Sequence, residues 1–134
     1  LVNTTDEAPD LVQRFENLLP FPAHTRFDIC LFWDLFNYLD APAVRALFSV
    51  LIPHLKERTL AHALSAHNPK TAQSNYHYGI AQVDALSCRS RRHALPGYAP
   101  HTQGELKDLL HCFRQERSVL LPDGRLELLL QANL

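Results

Sequence analysis

Methionine is absent from the 134 residues, and glycine occurs only four times, at Gly79, Gly97, Gly104 and Gly124. A chain that starts at Leu1 and has no methionine is expected to be a piece of a longer protein. The glycines are too widely separated for a GxGxxG-like loop, which removes the usual sequence sign of a nucleotide cradle. Cysteine is also sparse. Cys30, Cys88 and Cys112 form no CxxC pair and no secretory leader is expected, so they are read as reduced thiols in a cytoplasmic protein. Without a signal peptide the sequon Asn3-Thr4-Thr5 is idle. The longest apolar run, Ile29 to Trp33, is far too short for a membrane span. Neither sign of charge dominates. With 13 basic and 14 acidic residues the formal net charge is -1, which gives no general electrostatic reason to bind nucleic acid or anionic membrane.

What is present is the composition of an ordinary globular domain, 46% hydrophobic and 20% charged, with the length of one domain. Leu11, Phe15, Leu18 and Leu19 follow Asp6 and Glu7 at helical spacing, predicting a helix over residues 6–19 that Pro20 stops. Phe27 to Trp33 reads FDICLFW, the pattern of a central strand buried on both faces of a parallel sheet. Asp34 closes it, and a short turn or helical segment follows through Leu39. Asp40 is a good N-cap, Pro42 suits a first turn, and Val44, Leu47, Phe48, Leu51, Ile52 and Leu55 repeat at helical spacing. Pro53 should kink or end this helix. Thr59 to Ala66 reads as a second buried parallel strand, joined to the first by the helix in a right-handed crossover. His67 to Asn75 is expected to be a surface loop, and Tyr76 to Val83 and Leu86 to Arg91 each have weak strand or irregular character. Thr102 and Glu105 form a capping box before Leu106, Leu109, Leu110 and Phe113. Pro122-Asp123-Gly124 joins Ser118–Leu121 to Arg125–Leu130 as an antiparallel hairpin.

Two stretches carry a resemblance. FDICLFWDLFNYLDAPAVRALFSVLIPHL and GYAPHTQGELKDLLHCFRQERSVLLPDGRLELLLQ resemble the fourth strand and the C-terminal ending of a bacterial family related to the class I S-adenosylmethionine-dependent methyltransferases. The resemblance covers most of residues 20 to 131. It implies an α/β, Rossmann-like methyltransferase sheet, C-terminal half, ending in an antiparallel hairpin, with residues 1–134 as one partial domain. The family's glycine-rich loop and the acidic residue that takes the ribose hydroxyls have no counterpart here. The implied function is that of an S-adenosylmethionine-dependent methyltransferase whose cofactor binds in the full-length parent, the isolated fragment being inactive. The alternative is a non-catalytic interaction or scaffold domain on the same fold. Stripping the first half of such a sheet leaves an unpaired strand edge, so homo-oligomers through that edge are expected.

Ligands of open parallel sheets sit beyond the carboxyl ends of the strands, the position of Trp33, Asp34, Asn37 and Tyr38. Trp33 and Asp34 are expected on the cofactor side, and Asn37 and Tyr38 on the side of the methyl acceptor, whose identity the sequence leaves open. Methyl transfer depends chiefly on proximity and alignment, so it needs no evident nucleophile. The competing expectation is that Trp33 packs under the helix, Asp34 caps the next turn, and Asn37 and Tyr38 bond the backbone. Eight histidines fit no metal-ligand spacing, and no metal is expected. Cys30 is expected to be a packed thiol rather than a reactive one, and Ser49, Ser65 and Ser118 lack a hydrolase elbow. The basic run Arg89 to His93 reads as a solvated loop.

Overall fold

Asp40 begins the best-defined helix as its sequence implies, Oδ1 accepting from the Ala43 amide at 3.0 Å, with helix α2 spanning Ala41–Leu51. Such a cap contributes about 1 kcal/mol. Val44, Leu47, Phe48 and Leu51 are buried, each side chain stabilising by roughly 1.5–3 kcal/mol. Pro53 ends the α-helix early, and the chain tightens into a 3₁₀ turn at Ile52–His54. Strand β2, Leu55–Ala66, then starts four residues before the expected Thr59. The charged Lys56-Glu57-Arg58 is therefore inside the strand, where the pairing with strand β1, Phe27–Trp33, is irregular between Phe27/Leu55 and Ile29/Leu60. Thr59 ties this irregular stretch together. Its buried hydroxyl donates to Phe27 O and accepts from Lys56 N, each at 2.7 Å.

The computed structural model describes residues 8–134. Helix α1 is Ala8–Leu18; the acidic start at Asp6 and Glu7 lies outside the described residues. Leu11 is buried, and Phe15, Leu19 and Phe21 pack against the core. Leu18 is exposed instead, because the chain turns after it and the apolar contact passes to Leu19 and Phe21. The remaining elements are strands β3, Tyr76–Gln82, and β4, Ala85–Ser90; helix α3, Gln103–Leu109; and strands β5, Phe113–Leu120, and β6, Arg125–Ala132. Thr102 and Glu105 form the full capping box of α3. Phe113, expected on that helix, opens β5 and is buried there.

The main sheet has the order β1-β2-β6-β5, while β3 and β4 form a separate hairpin. β1 and β2 are parallel neighbours, as expected. The pairings are otherwise antiparallel, because β6 enters between β2 and β5 in the opposite direction. That differs from a mainly parallel sheet at the level of pairings, though β5 runs the same way as β1 and β2. Gly124 makes the β5–β6 turn possible with φ +90°, and a Cβ there would come within 3.3 Å of Thr71. One face of the sheet packs on the helices through Phe32, Phe36, Phe48 and Phe113, with neighbouring rings 4.9–6.0 Å apart.

The other face corrects a sequence expectation. β1 was expected to be central and covered on both sides, yet among the described residues it is an edge strand. Ile29 is 59% exposed and Leu31 42%. Leu60 and Leu129 share this open face, on the side opposite the buried Ala61, Ala63, Leu128 and Leu130. A pair from His62 Nε2 to Glu127 Oε2, 2.9 Å apart, lies beside them.

Candidate functional site

The carboxyl end of β1 is locally irregular. Leu31 pairs with His62, but Trp33 pairs with the very next residue, Ala63, so β1 bulges at this point. Bulges re-aim side chains and concentrate near binding sites. Trp33 itself has φ +46° and is the one described non-glycine residue with positive φ. A left-handed backbone costs a bulky L-residue about 1–2 kcal/mol, a strain that surrounding structure must hold in place.

Two buried polar atoms at this end have no hydrogen-bond partner: Trp33 Nε1 and Asp34 Oδ2. Asp34 occupies the cap position of the 3₁₀ turn Leu35–Asn37 but makes no side-chain capping bond. Burial holds its carboxyl above the usual carboxylate range, against the opposing pull of Arg91, its own amide and Arg125. Trp33 does not pack under α2. Its ring meets Tyr78 of the separate hairpin, centroids 5.6 Å apart.

Tyr78 is held by Arg125, whose Nη1 donates to the phenol oxygen at 2.8 Å. The same guanidinium lies 5.4 Å from the centre of the Tyr76 ring and bonds Asp123 through Nε at 2.8 Å. Burial pushes the Tyr78 hydroxyl up to about 12, with Arg125 opposing and Asp34 adding to the rise. The phenol is therefore neutral, its oxygen accepts from Arg125, and its own proton is left to donate. Arg91 Nε donates to Tyr76 O at 2.8 Å. The basic run is solvated as expected at Arg92 and His93, which are exposed loop residues, while Arg89 is an exposed residue of β4 and Arg91 is half-buried against the hairpin.

The four residues expected at this edge divide. Trp33 and Asp34 join the Tyr78–Arg125–Arg91 cluster. Asn37 is only 6% exposed, its Nδ2 donating to Leu64 O and its Oδ1 accepting from Ala66 N, both at 3.2 Å. It fixes the end of β2 rather than facing the cluster. Tyr38 accepts from Gln73 Nε2 at 2.8 Å, and its ring stands 5.7 Å from that of Tyr98. Tyr78, Arg91 and Arg125 were missed from the sequence. The alternation Tyr76-x-Tyr78 was the available signal, but only the fold brings Tyr78 against Trp33 at the carboxyl end of β1.

The cluster offers an indole donor, a phenol donor, a carboxyl acceptor and two arginines at a sheet's carboxyl edge, which can orient a polar or cationic ligand. A wider concavity, of about 640 Å³, lies between α3 and the start of β5, lined by Lys107, His111 and Arg114. That is the opposite edge of the sheet, and the shifted carboxyl and unpaired buried atoms of the Trp33–Asp34 cluster are not there. Among the described residues no set of three or more His, Cys, Asp or Glu is arranged to hold a metal.

Comparison with solved structures decides the fold. A methyltransferase dependent on S-adenosylmethionine from Clostridium acetobutylicum superposes with a TM-score of 0.52 at 14% identity, over 84% of this chain and 61% of that one. Streptomyces venezuelae DesVI gives 0.53 at 15%, over 92% and 71%. The glycopeptide N-methyltransferase MtfA complexed with sinefungin gives 0.51 at 12%, over 84% and 60%. The chain has a class I methyltransferase-like fold. It spans less than two-thirds of the length of two of these three proteins. No family profile matches the sequence, and no curated protein does. Within the methyltransferase-like fold, β1, α2 and β2 are one strand–helix–strand unit and β5–β6 the terminal hairpin, the two features the resemblance implied.

Proposed function

We propose that residues 1–134 are the C-terminal part of an S-adenosylmethionine-dependent methyltransferase domain. The observation that supports this best is the carboxyl edge of β1, where a bulged strand and a strained Trp33 hold two unpaired buried polar atoms in a fold whose solved examples include methyltransferases. The cofactor supplies a methyl group on a cationic sulfonium. Asp34 can attract that charge and the Trp33 ring can wall it, so these residues fit the sulfonium side of the cofactor. The ribose and methionine parts would be held by residues outside 8–134. On the acceptor side, Tyr38 stands at the rim and Asn37 positions the segment between β1 and β2.

Homo-oligomers through the open β1 edge belong to the same proposal, supported by an apolar groove of about 240 Å³ that Phe21, Phe27, Ile29, Leu31 and Leu35 help to line. A reducing, cytoplasmic setting is supported by three free cysteines. No helix among the described residues is long and apolar enough to cross a membrane.

A second reading, a non-catalytic interaction domain, is favoured by the open sheet face. Calorimetric titration with S-adenosylmethionine separates the two, using a longer chain that joins these residues to an upstream strand and glycine-rich loop. Saturable binding that Asp34→Asn weakens supports the enzyme, and no binding by a folded full chain abandons it for the scaffold.

A further inference from the structure

Helix α3 is short, Gln103–Leu109, and leaves much of the neighbouring sheet edge uncovered. The chain turns at once through residues 110–112, Phe113 N donating to Leu110 O at 2.9 Å, and enters β5, the terminal strand on the side away from β1. Asn133 N donates to Cys112 O at 2.7 Å and ties the end of β6 to the same turn. The result is a concavity of about 640 Å³ whose floor is Leu110, Phe113 and Leu130, all buried. That volume lies within the range of about 300–1,000 Å³ typical of small-molecule sites.

The rim is polar and largely uncommitted. Lys107 and His111 come from α3 and its turn, Gln115 from β5 and Asn133 from the end of β6. Among the described residues none of these four side chains makes a hydrogen bond. Arg114, also on the rim, gives Nε and Nη2 to Glu116 at 3.1 and 3.3 Å, which leaves Nη1 free to donate. Asp108 is the one acid lining the concavity, and it pairs with none of the cations. A lysine in the last turn of α3 suits the helix's own carbonyls. That does not account for His111, Gln115 and Asn133 gathered beside an apolar floor.

We propose that this concavity binds a small organic phosphate. The uncharged body lies on Leu110, Phe113 and Leu130, and the phosphate takes donors from Lys107, His111, Arg114 Nη1 and the amides of Gln115 and Asn133. A phosphate monoester brings three acceptor oxygens and about two negative charges at pH 7, which answers the two cations Lys107 and Arg114, while Asp108 disfavours a second acid on the body. A peptide strand is a poorer occupant of this edge. Arg114, Glu116 and Arg117, with the register shift between Gln115 and Arg117, blunt β5 against an added strand. The site does not depend on the methyltransferase reading, because the upstream residues of that domain would join at β1, the far edge of the sheet.

Amide-resolved NMR titration of the 134-residue chain tests the proposal. Phenyl phosphate is the probe, benzyl alcohol the uncharged body, inorganic phosphate the bare anion and benzylamine the opposite charge. The expected result is saturable shifts with phenyl phosphate centred on residues 107–115 and 130–133, and binding of the other three at least tenfold weaker. Lys107→Gln with Arg114→Gln should weaken phenyl phosphate tenfold or more, and His111→Ala alone about threefold or more. All three side chains are exposed, so folding should persist, which far-ultraviolet dichroism checks. Arg117→Gln, on the same strand outside the rim, should change the affinity less than twofold. No saturable shift, shifts centred elsewhere, unweakened binding by the rim variants, or equal weakening by Arg117→Gln each overturns the proposal. So does inorganic phosphate or benzylamine binding as tightly as phenyl phosphate, since the concavity would then select neither body nor charge.

Discussion

Replacing Asp34 by asparagine separates a carboxylate kept for function from one kept for structure. If Asp34 capped the 3₁₀ turn, its loss would cost about 0.5–2 kcal/mol. For a domain of this size that corresponds to a fall of several degrees in Tm. The structure indicates the opposite, since the side chain makes no capping bond and Oδ2 is buried without a partner. Burial raises the folded-state pKa of this acid above its model value of 3.8. The native state then binds more protons than the unfolded one as pH rises from that value through the raised folded value, so Asp34 lowers stability as pH increases across this window. Above it the cost of holding the ionised form is fully present. Asp34→Asn removes that cost while keeping the shape. Its Tm at pH 7 should equal or exceed that of the parent, and the difference should shrink as pH falls toward the unfolded value.

Thermal unfolding followed by circular dichroism at pH 7 and at about pH 4, near the unfolded value, measures this on the 134-residue chain. Calorimetry on the longer chain measures the other half of the argument, where losing a charged hydrogen bond of roughly 1–3 kcal/mol should weaken cofactor binding about tenfold or more. A Tm lowered by several degrees at pH 7 with cofactor affinity intact would refute the reasoning and return Asp34 to a structural role.

Thr59→Val leaves Phe27 O and Lys56 N without their partner and should cost about 1–3 kcal/mol, read as a lower midpoint in urea denaturation with an unchanged slope. Tyr78→Phe removes the acceptor for Arg125 Nη1 but keeps the ring on Trp33, so Trp33 emission should stay near the parent value. Tyr78→Ala should shift it strongly, and equal spectra for all three proteins would deny the contact. Cys112 is buried and pushed up to about 11, so at pH 8 it should resist iodoacetamide while the exposed Cys88 is alkylated; mass mapping of the labelled peptides decides. Ile29→Lys with Leu31→Lys places charge on the open edge strand and should convert concentration-dependent association into monomer in sedimentation velocity, whereas unchanged association would locate the contact elsewhere.

The elements legible in the sequence were those whose signals are local. Asp40 with Pro42, the Thr102–Glu105 box and the Pro122-Asp123-Gly124 turn each satisfy their own hydrogen bonds within a few residues, so position and identity can be read together. Strand β2 was placed four residues late because Lys56-Glu57-Arg58 looks like a helix end. Only its long-range partner, Phe27 with the Thr59 hydroxyl, makes extended backbone the better choice. The two segments of weak strand character, Tyr76–Val83 and Leu86–Arg91, form β3 and β4, but their pairing was not legible, since the link between them lacks a turn signal as strong as Asn-Gly.

The candidate site shows this limit most sharply. Trp33 and Asp34 could be chosen because an apolar strand ending in an aromatic and a carboxylate is a local pattern that places them at a known edge of the sheet. Asn37 was chosen on the same ground, and the structure turns its amide onto the β2 backbone. A polar side chain three residues past a strand can face a ligand or bond the next strand, and the choice depends on which backbone groups the tertiary fold leaves unpaired. At the end of β2 those backbone groups are Leu64 O and Ala66 N, which Asn37 satisfies, although the buried Ser65 Oγ between them has no partner. At the end of β1 no described group satisfies Trp33 Nε1 or Asp34 Oδ2. The strain at Trp33 persists beside those unpaired atoms, a combination whose missing partners a bound ligand or ordered water would supply.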